Sequence, residues 1–163
     1  MAKTIAAQDA KHLRVIEANR VITAISMHGR RFFYTGPGVN PSRAKASPDG
    51  RIARFEKDAR GALWFRDDYT WKPIYVAWDR GQWKGWSHGG TLRDLVRALR
   101  DYIRTGTPIR PGWFGPWPDW VCEGDLWGYG AEAMAAVREA VMKTEAVAKP
   151  NPTSLRNHAG DAT

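Results

Sequence analysis

Four arginines, Arg93, Arg97, Arg100 and Arg104, recur at intervals of four, three and four residues. At about 100° per residue, a helix carries them in a single row. Guanidinium forks in such a row suit successive phosphates, or the carboxylates of an acidic protein face. A solvated helix face is the plain alternative. Asp94 and Asp101 stand three or four residues from Arg97 and Arg104, so pairing along the helix leaves the segment only +2. A second group interleaves rings with cations: Phe65-Arg66, Trp71-Lys72 and Trp83-Lys84-Gly85-Trp86. Trp71, Trp83 and Trp86 are candidates for stacking on unpaired bases, with Arg66, Lys72 and Lys84 as phosphate contacts. Burial in a core is the competing role for these rings. Trp83 and Trp86, an odd number apart, cannot share one face of an unbulged strand. Arg43 and Lys45 add two more candidate cations in a Gly/Pro/Ser-rich stretch.

Signals for catalysis are weak. His12, His28, His88 and His158 lack the i+3/i+4 or paired-cysteine spacing of a metal site. Ser87 beside His88 is not a dyad, because catalytic partners are brought together by the fold and not by adjacency. Asp67-Asp68 reads as the start of an Asx-type turn. Cys122 lies among Asp119, Glu123 and Asp125, which disfavours a thiolate. Ser87-His88-Gly89-Gly90 leads into a helix start whose free amides can hold an anion, but its spacing is neither a P-loop nor a dinucleotide fingerprint. The expectation is a non-enzymatic protein with no catalytic residue, no metal and no cofactor.

The bulk composition narrows the setting. A chain of 163 residues, 43% hydrophobic with nine tryptophans, supports one buried core. No apolar run is long enough for a membrane span, and one cysteine fits a reducing, cytoplasmic address. The net charge of +8 is uneven: residues 1–110 hold 21 Lys/Arg against 10 Asp/Glu, and residues 111–163 hold 4 against 7. Such a basic body attracts polyanions at long range, whether DNA, RNA or an acidic protein face. Arginine outnumbers lysine 17 to 8, which a GC-rich genome explains as readily as a binding role.

The elements that would position these residues form an α+β fold. Residues Thr91–Thr105 carry Leu92, Leu95, Val96, Leu99, Tyr102 and Ile103 on one stripe, with Thr91 as N-cap, Asp94 completing a capping box, and Gly106 as the stop. The arginine row then faces solvent, and the apolar stripe faces a sheet. That sheet is an antiparallel β-meander of about four to five strands: Arg31–Thr35, Ile52–Glu56, Leu63–Arg66, Ile74–Trp78 and Gln82–Trp86. Pro73 can sit only at a strand start or edge. Residues Ala10–His28 read as an N-terminal helix on the i, i+3, i+4, i+7 spacing of Ala18, Val21, Ile22 and Ile25, with a strand over Val21–Met27 as the alternative. A C-terminal helix is expected over Ala131–Ala148, with Met134, Val137 and Val141 inward. The expected organisation is a single basic domain over 1–149, a mobile loop at 36–50, and a disordered tail at 150–163. The Trp-rich segment 107–130 is either a core plug or a docking surface for which Trp117 and Trp120 are the candidates.

Several strings carry a resemblance together: Arg60-Gly61 before Leu63-Trp64-Phe65, Asp68-Tyr69-Thr70 before Ile74-Tyr75, Gly89-Gly90-Thr91-Leu92-Arg93, Arg100-Asp101-Tyr102-Ile103-Arg104-Thr105-Gly106, and Gly124-Asp125-Leu126-Trp127-Gly128-Tyr129-Gly130. Across residues 20–140 the chain resembles uncharacterised small accessory proteins of proteobacterial plasmids, integrative elements and phages. The resemblance implies a mobile-element setting and transfers no site residue. Two functions fit: a nucleic-acid-binding accessory protein, or a protein-interaction module, such as a counter-defence inhibitor, that blocks a host nucleic-acid-guided complex.

Overall fold

The computed structural model describes residues 2–28, 32–36, 50–79, 83–115 and 131–149. Arg43, Lys45, Trp117, Trp120, most of the 36–50 stretch, the tail 150–163 and all of 116–130 lie outside the described residues. The order is α1 (Ala2–Ser26), β1 (Tyr34–Thr35), β2 (Arg51–Ile52), β3 (Arg54–Lys57), β4 (Leu63–Arg66), β5 (Pro73–Tyr75), α2 (Gly90–Thr105), a 3-10 turn at Pro111–Phe114, and α3 (Ala131–Met142). This is the expected α+β class with helices at both ends.

Helix α1 is the hub. It lies against β2, β3, α2 and α3. Its second half is buried on most sides through Val15, Ala18, Val21, Ile22, Ala24 and Ile25, which excludes the strand alternative for 21–27. The polar Asn19 works as a clamp: it donates to the Phe55 carbonyl at 3.1 Å and accepts the Phe55 N–H at 2.7 Å. That pair satisfies the outer edge of β3, which has no strand beyond it among the described residues.

The predicted meander is divided. Ala53 interrupts the second run, so β2 pairs with β1 in a two-stranded ribbon while β3, β4 and β5 form a separate antiparallel sheet. Pro73 opens the edge strand β5, where its missing N–H costs no ladder bond. Phe55, Phe65 and Ile74 lie opposite one another in register and point into the core. Alternation then puts Arg54, Glu56, Trp64, Arg66 and Tyr75 on the outer face.

Three expectations are corrected. Residues 83–86 form a turn, not a strand, because Trp83 and Gly85 both take positive φ and the Trp86 N–H closes back on the Trp83 carbonyl. Thr91 does not cap α2. The helix begins at Gly90, Gly89 is its N-cap, and no side chain caps it. The apolar stripe of α2 lies against α1 within the core that also holds Phe55, Phe65 and Ile74 of the sheet. Finally, α3 ends at Met142, and Val147 bridges in parallel to Ile109. Of the 107–130 segment, only 107–115 is described. There Phe114 is buried against α3 and its carbonyl accepts from Arg138 at 3.1 Å, as a core plug would.

Candidate functional site

The arginine row does not act as one unit. Arg100 is 2% exposed and is a structural residue. It donates to the Val76 carbonyl at 3.1 Å, to Asp79 at 2.6 and 3.2 Å, and to Asp101 at 3.0 and 2.9 Å. Arg97 pairs with Asp79 at 3.1 Å and with Asp94 at 2.8 Å. Both guanidinium groups stand over the Trp83 ring, at 5.6 and 5.8 Å. The expected solvent-facing stripe fails at its centre, because the segment after β5 turns back beneath α2. Arg93 is half-buried, and its Nε has no hydrogen-bond partner. Arg104 alone stays exposed without a carboxylate, touching the Ala77 carbonyl at 3.4 Å.

The aromatic candidates separate in the same way. Trp83 is 3% exposed, with its indole N–H on the Trp78 carbonyl, and Trp86 packs between Phe65, Trp83 and His88. Both serve the core. Trp71 holds positive φ within a cage of Arg51, Arg54 and Arg66, 5.1–5.4 Å from its ring. Arg66 is spent on Glu56 and on the Trp71 carbonyl. Those bonds from Arg66, followed by those from Arg54, hold the Glu56 carboxyl below its ordinary range. Lys72 and Lys84 are exposed.

Next to this outer face lies a basic cleft that sequence spacing did not reveal. Two adjoining cavities share Lys11, Arg60 and Gly61. One, about 370 Å³, runs between α1 and the β3–β4 turn, past Lys57 and Asp58. The other, about 250 Å³, continues to Arg104, Tyr75 and Trp78. Asp58 is the single carboxylate among the described residues of the lining and is already occupied by the Trp64 indole and by the N–H groups of Arg60 and Ala62. Lys11 donates to the Gly61 carbonyl at 2.5 Å. Burial lowers the Lys11 pKa, and Lys57, Arg104 and Arg14 lower it further by repulsion. Four cations are thus gathered where protein carboxylates offset few of them, an arrangement that favours an anion.

The cleft's far edge is aromatic. Trp78 is 62% exposed and Tyr75 41% exposed. The Trp78 indole donates to the Tyr75 hydroxyl at 3.1 Å, and the Tyr75 ring meets Trp64 edge-on at 4.8 Å. Of the sequence candidates among the described residues, only Arg104 reaches this place. Lys11, Lys57, Arg60, Tyr75 and Trp78 were missed because α1, a turn and a strand end meet only in the fold.

A second cluster is buried. Asp67, Asp68 and His88 bring ligand-type atoms within 4.8 Å of one another, a grouping invisible to sequence spacing. Every carboxylate oxygen there has a protein partner: Ser87 and Thr70 on Asp67, His88 and Thr35 on Asp68. The expected turn at Asp67 is present, with the Thr70 N–H donating to its carboxylate at 2.8 Å. This knot joins β1, the β4–β5 turn and the approach to α2, and its buried carboxylates are hydrogen-bonded.

Comparison with known proteins places the chain. A family-level match to YoqU runs over residues 8–153. The chain belongs to the YoqU family. The SPbeta prophage-derived uncharacterized protein YoqU of Bacillus subtilis (strain 168) is 30% identical over 127 residues, 77% of this chain and 77% of the relative. No solved structure matches. The phage part of the earlier resemblance therefore stands for the YoqU family, whereas its proteobacterial and plasmid carriers have no counterpart in this relative. No helix among the described residues is long and apolar enough to cross a membrane.

Proposed function

We propose that this YoqU-family protein is a non-enzymatic phage accessory protein that binds nucleic acid in the Lys11–Arg60–Arg104 cleft. The observation that supports the reading is the cleft itself: among the described residues it holds four cations, a held pair of exposed rings, and one carboxylate that is already hydrogen-bonded. Phosphates supply the missing negative charge, and long-range attraction from the basic body speeds the encounter. The test is binding of labelled oligonucleotides to Arg60→Glu/Arg104→Glu. Both side chains are exposed, so the variant should fold and lose at least about tenfold in affinity. Retained affinity in a folded variant removes the cleft from the account.

A protein-blocking role, such as inhibition of a host nucleic-acid-guided complex, draws on a different observation. Ile5, Leu13 and Ile16 are exposed on one side of α1, an apolar row of the kind that docks on protein. Ser substitutions there should leave oligonucleotide affinity unchanged, so the two surfaces can be tested apart.

A further inference from the structure

We propose that the cleft's ligand is a single-stranded polynucleotide, with an unpaired base laid against Trp78 and Tyr75 and its phosphates on Arg60, Arg104 and Lys11. The inference rests on the nucleic-acid reading and goes beyond it by excluding the duplex.

The rings carry the argument. A duplex offers a protein its phosphates and base edges, and its base faces are covered by their own stacking. A protein that reads only duplex phosphates has no use for an indole facing solvent. Here the most exposed large hydrophobic side chain among the described residues is Trp78, and it sits on the rim of the cationic cleft. It is also held in place. Its N–H is satisfied by the Tyr75 hydroxyl, and Tyr75 is braced by Trp64. A ring fixed before binding loses little rotamer freedom when a base stacks on it, which favours affinity. The cations stand on the other walls of the same cavity, from α1 (Lys11), the β3–β4 turn (Arg60) and α2 (Arg104). A flexible strand can therefore place a base on the rim and its flanking phosphates inside. Alternating rings and cations of this kind accept any base, because every base has a π face.

The test compares oligonucleotides of equal length, single-stranded DNA, single-stranded RNA and duplex DNA, at one salt concentration by fluorescence anisotropy. The inference expects at least one single strand to bind about tenfold or more tightly than duplex. The DNA and RNA arms then tell which backbone is preferred. Trp78→Ala should weaken single-strand binding by about 5- to 160-fold, the range for loss of one stacked base, while the salt dependence stays as it was. Trp78→Phe should restore most of the loss, an outcome a merely structural role would not give. Equal or tighter duplex binding, with Trp78→Ala neutral, overturns the inference and leaves the nucleic-acid reading standing. Absence of binding to every probe overturns both.

Discussion

At the scale of single residues, chemical type did not decide role; surroundings did. Arg97, Arg100 and Arg104 share a helix row, yet one is buried, one is paired and one is open. Arg100→Ala should destabilise the protein by about 2–4 kcal/mol, since it orphans the Val76 carbonyl and leaves a space beside Trp83. Arg97→Ala removes partly exposed pairs and should cost under about 1 kcal/mol. Urea unfolding of the two variants reads this difference, and equal costs would contradict the assignment of Arg100. Charge reversal of Arg97 with Arg100, the natural choice from the sequence row, would damage the fold before it tested binding. Lys11 provides a pH test. Burial and the charges of Lys57, Arg104 and Arg14 lower its pKa below the ordinary 10.5, with Asp58 opposing. Between that lowered value and 10.5 the unfolded chain binds more protons than the folded one, so this group's penalty on stability is relieved as pH rises. A bound polyanion shifts the pKa back up. Binding in that alkaline window should therefore take up protons and weaken as pH rises. Calorimetry in buffers of different ionisation enthalpy measures the uptake, and Lys11→Met should abolish it.

At the scale of elements, local patterns were legible where burial on one face set the period. The stripe Leu92, Leu95, Val96, Leu99, Tyr102 and Ile103 is buried as its spacing requires, and Gly106 closes the helix in left-handed conformation with its N–H on Tyr102. Leu63–Arg66 is a strand with the expected bounds. The misreadings share one cause. Trp83–Trp86 has strand-like composition, but two positive φ values and the pull of Arg97 and Arg100 on Trp83 make it a turn. Ala53 looks like a strand interior, yet its N–H bonds to the Phe33 carbonyl. In each case a contact distant in sequence overrode local preference. The cleft was illegible for the same reason. Lys11 and Arg60 lie 49 positions apart, and each alone reads as an ordinary surface cation.

At the scale of the whole molecule, charge imbalance was the most durable signal in the sequence. The excess of cations over residues 1–110 is the feature on which the proposed polyanion binding rests, and the fold gathers part of it away from the arginine row. In the fold, part of that excess is consumed by internal pairs such as Arg66 with Glu56 and Arg100 with Asp79. Part of what remains gathers around Lys11, Lys57, Arg60 and Arg104. Membership of a family with a prophage-encoded relative fits an accessory role and names no ligand. The most direct measurement is the dependence of single-strand affinity on salt. Three or four phosphate contacts predict a slope of log K against log salt of about −2 to −3, falling in magnitude by about 1.4 when Arg60 and Arg104 are both reversed. A slope near zero, or one that the double reversal leaves unchanged, would contradict the account.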